Sequence, residues 1–225
     1  MQSLADCYFC CARRYFMPDS TTQPFSARRR LHFLILLFLA ITIAAGIHPS
    51  DRAEWWEGNI PIITMLVLLC VSYRWWHFSD FSYALLGIFL IMATLGSHYT
   101  YEHNPLGERL GAVLGIARNP YDRIVHLGVG LMISYPVYEN LPRIARSRAP
   151  WSYLLSIAII LAASAVWEIA EVYYGIGVHQ NPGYAGTDDQ FDSQHDMAAA
   201  LIGSGVTMSI TAASELFRGR VQLRS

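Results

Sequence analysis

"SYLLSIAIILAASAVWEIAEVYY", residues Ser152–Tyr174, carries no formal charge for its first sixteen positions and then meets Glu168 and Glu171. Its apolar residues are continuous. They follow neither the stripe of a half-buried surface helix nor the alternation of a strand. A helix of this length rises about 34 Å, against a hydrocarbon core of about 30 Å. Lipid offers the backbone no hydrogen bonds, so a segment crossing it must be helical. The stretch therefore predicts a membrane-spanning helix and poses a question at its end, because a helix C-terminus disfavours negative charge.

Five more blocks of the 225-residue chain have the same character: Leu31–Ile47, Ile60–Trp76, Ser82–Glu102, Asp122–Tyr138 and His195–Phe217. The first is short for a crossing and is expected to recruit flanking residues. Apolar residues make up 53% of the chain and charged residues 15%, and the connections are too short to fold alone. The expected fold class is all-α, a polytopic membrane protein built as a six-transmembrane-helix bundle. It divides into a cytoplasmic tail over 1–30, a transmembrane domain over 31–217 and a second cytoplasmic tail over 218–225. "PDSTTQPFS", Pro18–Ser26, reads as a short flexible piece of the first tail. No internal repeat is visible.

All sixteen cationic residues are arginine. Arg13, Arg14, Arg28, Arg29 and Arg30 lie in the N-terminal tail, Arg74, Arg143, Arg146 and Arg148 in the even-numbered connections, and Arg218, Arg220 and Arg224 at the C-terminus. The odd-numbered connections hold only Arg52, Arg109, Arg118 and Arg123. Positive residues favour the cytoplasm, so both termini are expected there. The net charge of −1 gives no basic surface for nucleic acid.

Two segments invite other readings. "ARRRLHFLILLFLAITIAAG" has the outline of a secretory signal, faintly of a twin-arginine one. No convincing small-residue cleavage site precedes His48–Pro49, so an uncleaved first helix is expected. Cys7, Cys10 and Cys11 in "CYFCC" read as reduced thiols on a cytoplasmic tail, with acylation or metal capture as the alternatives. Cys70, inside an apolar helix, reads as packing.

Polar residues gather at one level. "GSHYTYEH" places His98 and Glu102 at i,i+4, and "YDRIVH" does the same for Asp122 and His126. "AVWEIAEVYY" puts Glu168 and Glu171 at i,i+3, and "GTDDQFDSQHDM", Gly186–Met197, brings Asp192, His195 and Asp196 into the last block. All four sets fall on the outer side, and ionisable groups within a membrane usually face a bundle interior or a wet cavity. Each set has a plainer reading. Asp122, Asp192 and Asp196 suit helix starts, and His98 and His126 suit buried histidines bonded to hydroxyls. Glu168 and Glu171 need a cation or a proton, and Arg123 could supply the cation in a purely structural ion network.

The sharper reading is a carboxylate–histidine cage for one or two divalent cations. Helical pairs from neighbouring helices can enclose a metal within a bundle. Zinc, manganese, iron and magnesium all suit parts of this donor set, and no organic cofactor is expected. The expected ligands are Asp122, His126, Glu168, Glu171, Asp192 and Asp196, with His98, Glu102 and Glu168 as catalytic acid/base candidates. No zincin, Walker or nucleophile-elbow motif occurs.

"NPYDRIVH", "WEIAE" and "GTDDQFDSQHDM", in that order among six spans, resemble the YjdF-type bacterial inner-membrane proteins. The likeness covers Leu31 to Phe217 and excludes the cysteine-bearing tail. The family pattern falls on Tyr121, Asp122, Arg123, His126, Glu168, Glu171, Gly186, Thr187, Asp192, Gln194, Asp196 and Met197. Asp188, Asp189 and His195 stand as local variation within that frame. The resemblance implies a bacterial inner-membrane location and no particular activity. Three functional classes follow from the residues. One is a metal-dependent hydrolase acting on a lipid or lipid-linked substrate from the bilayer. The others are an ion- or proton-coupled transporter and a structural or interaction protein. Transporter sites tend towards the midplane, whereas these groups gather near one face.

Overall fold

The computed structural model describes residues 24–73, 75–147, 149–178 and 191–222, with side chains excepted at 149, 174–178 and 218–222. Among the described residues every regular element is helical: α1 (Arg29–Ile47), α2 (Arg52–Ser72), α3 (Asp80–Tyr99), α4 (Pro105–Leu114), α5 (Tyr121–Gly128), a π turn (Val129–Ile133), α6 (Ser134–Ile144), α7 (Ala149–Val178) and α8 (Asp192–Gln222). Five helices, α1, α2, α3, α7 and α8, are long and apolar enough to cross a membrane. Phe33, Ile43, Leu68, Val166 and Ile210 stand exposed along them. An apolar surface of this extent is a liability in water and the expected boundary in lipid.

Local chemistry moves several boundaries from their expected places. The second span starts at Arg52 rather than Ile60, because Asp51 accepts from the Ala53 and Glu54 backbone at 2.7 and 2.9 Å and caps the helix there. It ends at Ser72, leaving Trp76 outside. The third ends at Tyr99, since Thr100 turns the chain at φ +63°. Glu102 therefore lies beyond the helix, and the expected His98–Glu102 face does not form. The third connection holds an unexpected helix, α4, capped by Asn104 and closed by Gly115 at φ +68°. Cys70 is exposed on α2 rather than packed in a core. Cys7, Cys10, Cys11, Arg74, Arg148 and the segment from Gly186 to Asp189 lie outside the described residues.

The expected fourth span is one helical run in three pieces. Backbone angles stay helical through Val129 and Ser134, and Val129–Ile133 widens to a π turn. Pro136, just beyond, has no N–H to return to the preceding turn. Widened turns of this kind appear mostly as single insertions in otherwise regular helices.

Two styles of packing hold the bundle. Phe38, Ile62, Leu90 and Ala93 join α1, α2 and α3 through large side chains. The other half is built from small ones. Ser152, Ser156, Ile160, Ser164 and Glu168 recur every four residues along α7 and are all buried. Small residues let membrane helices approach closely where hydrophobicity gives no drive. A close backbone approach joins the π turn to α8, at Gly130 and Gly203. A Cβ on Gly130 would lie 2.6 Å from Ser204 N and closer to Ala200 O; one on Gly203 would lie 2.9 Å from Leu131 N and closer to Leu127 O. The Thr207 hydroxyl donates to Leu131 O across this crossing at 2.8 Å.

At the end opposite the acidic groups, Glu139 of α6 closes the start of α3. It accepts from Ser79 N at 3.1 Å and from the Ser79 and Ser82 hydroxyls.

Candidate metal centre

The glycine crossing sets the register of the site. His126 and Asp122 stand one and two turns before Gly130, and Asp196 stands two turns before Gly203. The helices α5 and α8 both begin at this end, so their positive dipole ends face the acids. Asp122, His126 and Asp196 each offer one ligand atom, and the three atoms lie within 4.8 Å of one another. Two donors bound to one zinc ion would stand roughly 3–5 Å apart. These are the only described histidine, cysteine or carboxylate residues that group in this way.

His126, 5% exposed, has polar neighbours at both ring nitrogens. Its Nε2 lies 3.8 Å from Asp122 Oδ1 and 3.3 Å from Glu168 Oε1, and its Nδ1 lies 3.4 Å from Ser164 Oγ. Ser164 and Glu168 are successive members of the buried α7 stripe, so the packing of that helix fixes the ring. Asp196 is 1% exposed, and its Oδ1 has no hydrogen-bond partner among the described residues. An orphaned carboxylate oxygen at that depth is expensive unless a cation or proton meets it. Glu171, half-buried on α7, feels the charges of Asp122, Glu168 and Asp196.

Asp192 is differently engaged. Arg118 binds both its oxygens, with Nη2 to Oδ2 at 2.9 Å, and Arg123 approaches Oδ1 at 3.6 Å. Arg118 also stands 3.9 Å from Asp122. Burial disfavours the Arg118 cation, but Asp192 and Asp122 outweigh it and hold its pKa above the ordinary arginine value. The loop that delivers Arg118 is pinned by Asn119, which donates to Asn104 O at 3.0 Å and accepts from Tyr121 N at 3.0 Å. Arg123 Nη2 lies 3.4 Å from His195 Nδ1, at the exposed rim.

His98 and Glu102 stand apart from this group. His98 Nδ1 donates to Ala45 O at 2.7 Å, and its carbonyl accepts from Ser50 N, so it clasps the corner between α1 and α2. Glu102 is exposed in the turn after α3. Sequence reading missed Arg118 as the partner of Asp192, Ser164 beneath His126, and Tyr101, whose ring covers Gly96 and which feels Asp122 and Glu171. Ser164 was findable: it lies four residues before Glu168 on the expected helix. Arg118 sits in a connection where no periodicity marks direction, and Tyr101, expected inside the third block, lies beyond the turn at Thr100.

A family profile described as "Predicted membrane protein (DUF2238)" matches residues 30–215. The chain belongs to this family. Like other DUF2238 proteins it is an integral membrane protein, as its apolar helices require. It is 32% identical over 177 residues to "Inner membrane protein YjdF" of Escherichia coli (strain K12), covering 77% of this chain and 84% of that relative. The match bears out the resemblance read from the motifs around Asp122, Glu168 and Asp192. No solved structure matches the chain.

Proposed function

We propose that this DUF2238 protein is a six-crossing inner-membrane enzyme whose outer face carries a divalent-cation site for hydrolysis of a lipid or lipid-linked substrate. The observation that carries the reading is Asp196, buried with an unpartnered oxygen beside Asp122 and His126. The charge balance supports it. Asp122, Glu168, Glu171, Asp192 and Asp196 bring five carboxyls, against the guanidiniums of Arg118 and Arg123. The excess calls for a cation or protons.

Asp122, His126 and Asp196 would hold the ion, with Glu168 and Glu171 completing its surroundings and Asp192 fixing Arg118 at the mouth. Carboxylates with one imidazole suit zinc, manganese or iron, and the acid-rich subset suits magnesium. Such an ion supplies Lewis acidity and an acidified water. Glu168, against His126 Nε2, is the carboxylate best placed to accept a proton from a nucleophile there. His98 and Glu102 have no part in this arrangement.

The decisive measurement is metal content of the detergent-purified chain beside a Glu168→Gln/Glu171→Gln variant. About one divalent ion per wild-type chain is expected and close to none in the variant. Cation-dependent release of a water-soluble product from a bacterial lipid extract should fall with it. Equal and negligible metal content in both proteins would overturn the reading.

One observation favours a second reading, an ion- or proton-coupled carrier. The π turn interrupts the run that carries Asp122 and His126, and such turns recur at functional sites. A carrier would lose proton-linked flux in the double-glutamine variant while its metal content stayed unchanged.

The helical run Tyr121–Ile144, at about 36 Å, supplies the sixth crossing. An even number puts both termini on one side, and the arginine distribution selects the cytoplasm, with tails over 1–30 and 218–225 flanking the membrane domain. Topology reporters fused after Arg224 and within 182–186 should report cytoplasm and periplasm respectively. A periplasmic signal from the C-terminal fusion would invert the assignment of every group above.

A further inference from the structure

Three consecutive arginines mark the start of α1, Arg28 just before its first turn and Arg29 and Arg30 within it. Arg28 turns inward and is buried. It donates to Asp80 Oδ1 at 3.2 Å and to Phe78 O at 2.9 Å, and lies over the Tyr83 ring at 5.0 Å. Arg29 and Arg30 are exposed and make no ion pair among the described residues. They edge a cleft of about 560 Å³ between the first turns of α1 and α3, whose other walls are Phe33, Leu34, Asp80, Phe81 and Ala84. Asp80 is the only acid there, and Arg28 already neutralises it. The cleft is therefore cationic at its mouth and apolar along its floor.

Depth agrees with that division. Trp75 and Trp76 beyond the end of α2, and Trp151 at the start of α7, are exposed at the same end of the bundle. Tryptophans favour the headgroup level of a bilayer. The first turn of α1 has no acidic residue and no side-chain cap, so its amide dipoles add to the attraction for an anion. A guanidinium fork matches a phosphodiester, and neighbouring arginines at the membrane surface select anionic lipid. Free phosphate would leave the apolar floor uncovered, whereas an acyl chain covers it.

We propose that this cleft binds an anionic glycerophospholipid, with its phosphodiester between Arg29 and Arg30 and one acyl chain along Phe33, Phe81 and Ala84. The site is separate from the carboxylate–histidine cluster and lies at the opposite end of the bundle.

The test titrates the full-length, delipidated chain in detergent with phosphatidylglycerol or phosphatidylcholine and counts retained lipid by native mass spectrometry. Phosphatidylglycerol should bind about ten- to thirtyfold more tightly than phosphatidylcholine, the preference expected of two arginines at the surface. Arg29→Gln/Arg30→Gln should erase that preference, and Arg109→Gln should leave it intact. Ala84→Phe fills the floor without changing charge and should weaken phosphatidylglycerol binding. If that variant does not fold, Phe33→Ser, which strips an exposed apolar wall without changing charge, serves the same purpose. Equal binding of the two lipids overturns the proposal, as does retention of the preference in the double-glutamine variant. Undiminished binding after the floor is blocked would mean diffuse surface charge and also overturns it. Displacement of the lipid by millimolar inorganic phosphate would reveal a free-phosphate site and reject the acyl-chain contact.

Discussion

Gly203→Ala should destabilise the protein by about 3 kcal/mol, near the upper end of overpacking costs, and lower Tm by about 10 °C. The added Cβ meets backbone, at Leu131 N and Leu127 O, which cannot rotate aside as a flexible side chain would. The π turn and α8 must separate, and contacts along the whole crossing weaken together. Gly205→Ala, two residues on in the same helix, is the control. A Cβ there meets nothing within 4 Å, so higher helix propensity should stabilise it by about 0.5–1 kcal/mol. The opposite signs of the two shifts, read by thermal unfolding in detergent, form the prediction. Equal stability would mean that the glycine crossing does not set the distance between these helices.

The second large effect is expected from Asp196→Asn, and its sign should depend on metal. In chelator the variant should be the more stable protein, because it buries one uncompensated negative charge fewer. With manganese, zinc or magnesium at a hundred times its dissociation constant, the wild type should gain about 2.7 kcal/mol by linkage, and the variant almost nothing. The two stability curves should then cross as cation is added. A wild type indifferent to all three ions would remove the cation site. A parallel gain in both proteins would place the ion elsewhere.

The spans were legible because their signal is collective: each needs many apolar residues, and no single one decides it. Their ends depend on single side chains and single torsions. Asp51 starts α2 eight residues before the apolar run begins, and Thr100 stops α3 before Glu102 can share a face with His98. The helical pair Asp122–His126 was likewise visible, since spacing within one helix fixes it. Its meeting with Asp196 was expected from their shared level alone, whereas the register that brings it about rests on two glycines far apart in the chain. Their smallness carries no hydropathy signal. The buried serines of α7 were hidden in the same way: to a hydropathy reading Ser152, Ser156 and Ser164 are interruptions, yet they are what lets Glu168 reach His126. Arg118 arrives from a connection whose shape depends on Asn104 and Asn119, beyond the reach of any periodic pattern.

The run from α5 through α6 is fastened at its far end, where Glu139 grips the start of α3, and again at its middle, where Gly130 meets Gly203. Its near end is held as well, since the Tyr121 hydroxyl donates to Met92 O at 2.9 Å and Glu168 lies 3.3 Å from His126 Nε2. Mechanically it is a strut braced on both sides of the π turn. The two turns bearing Asp122 and His126 are set before any ligand arrives, and a ligand there would lose little affinity to reordering them.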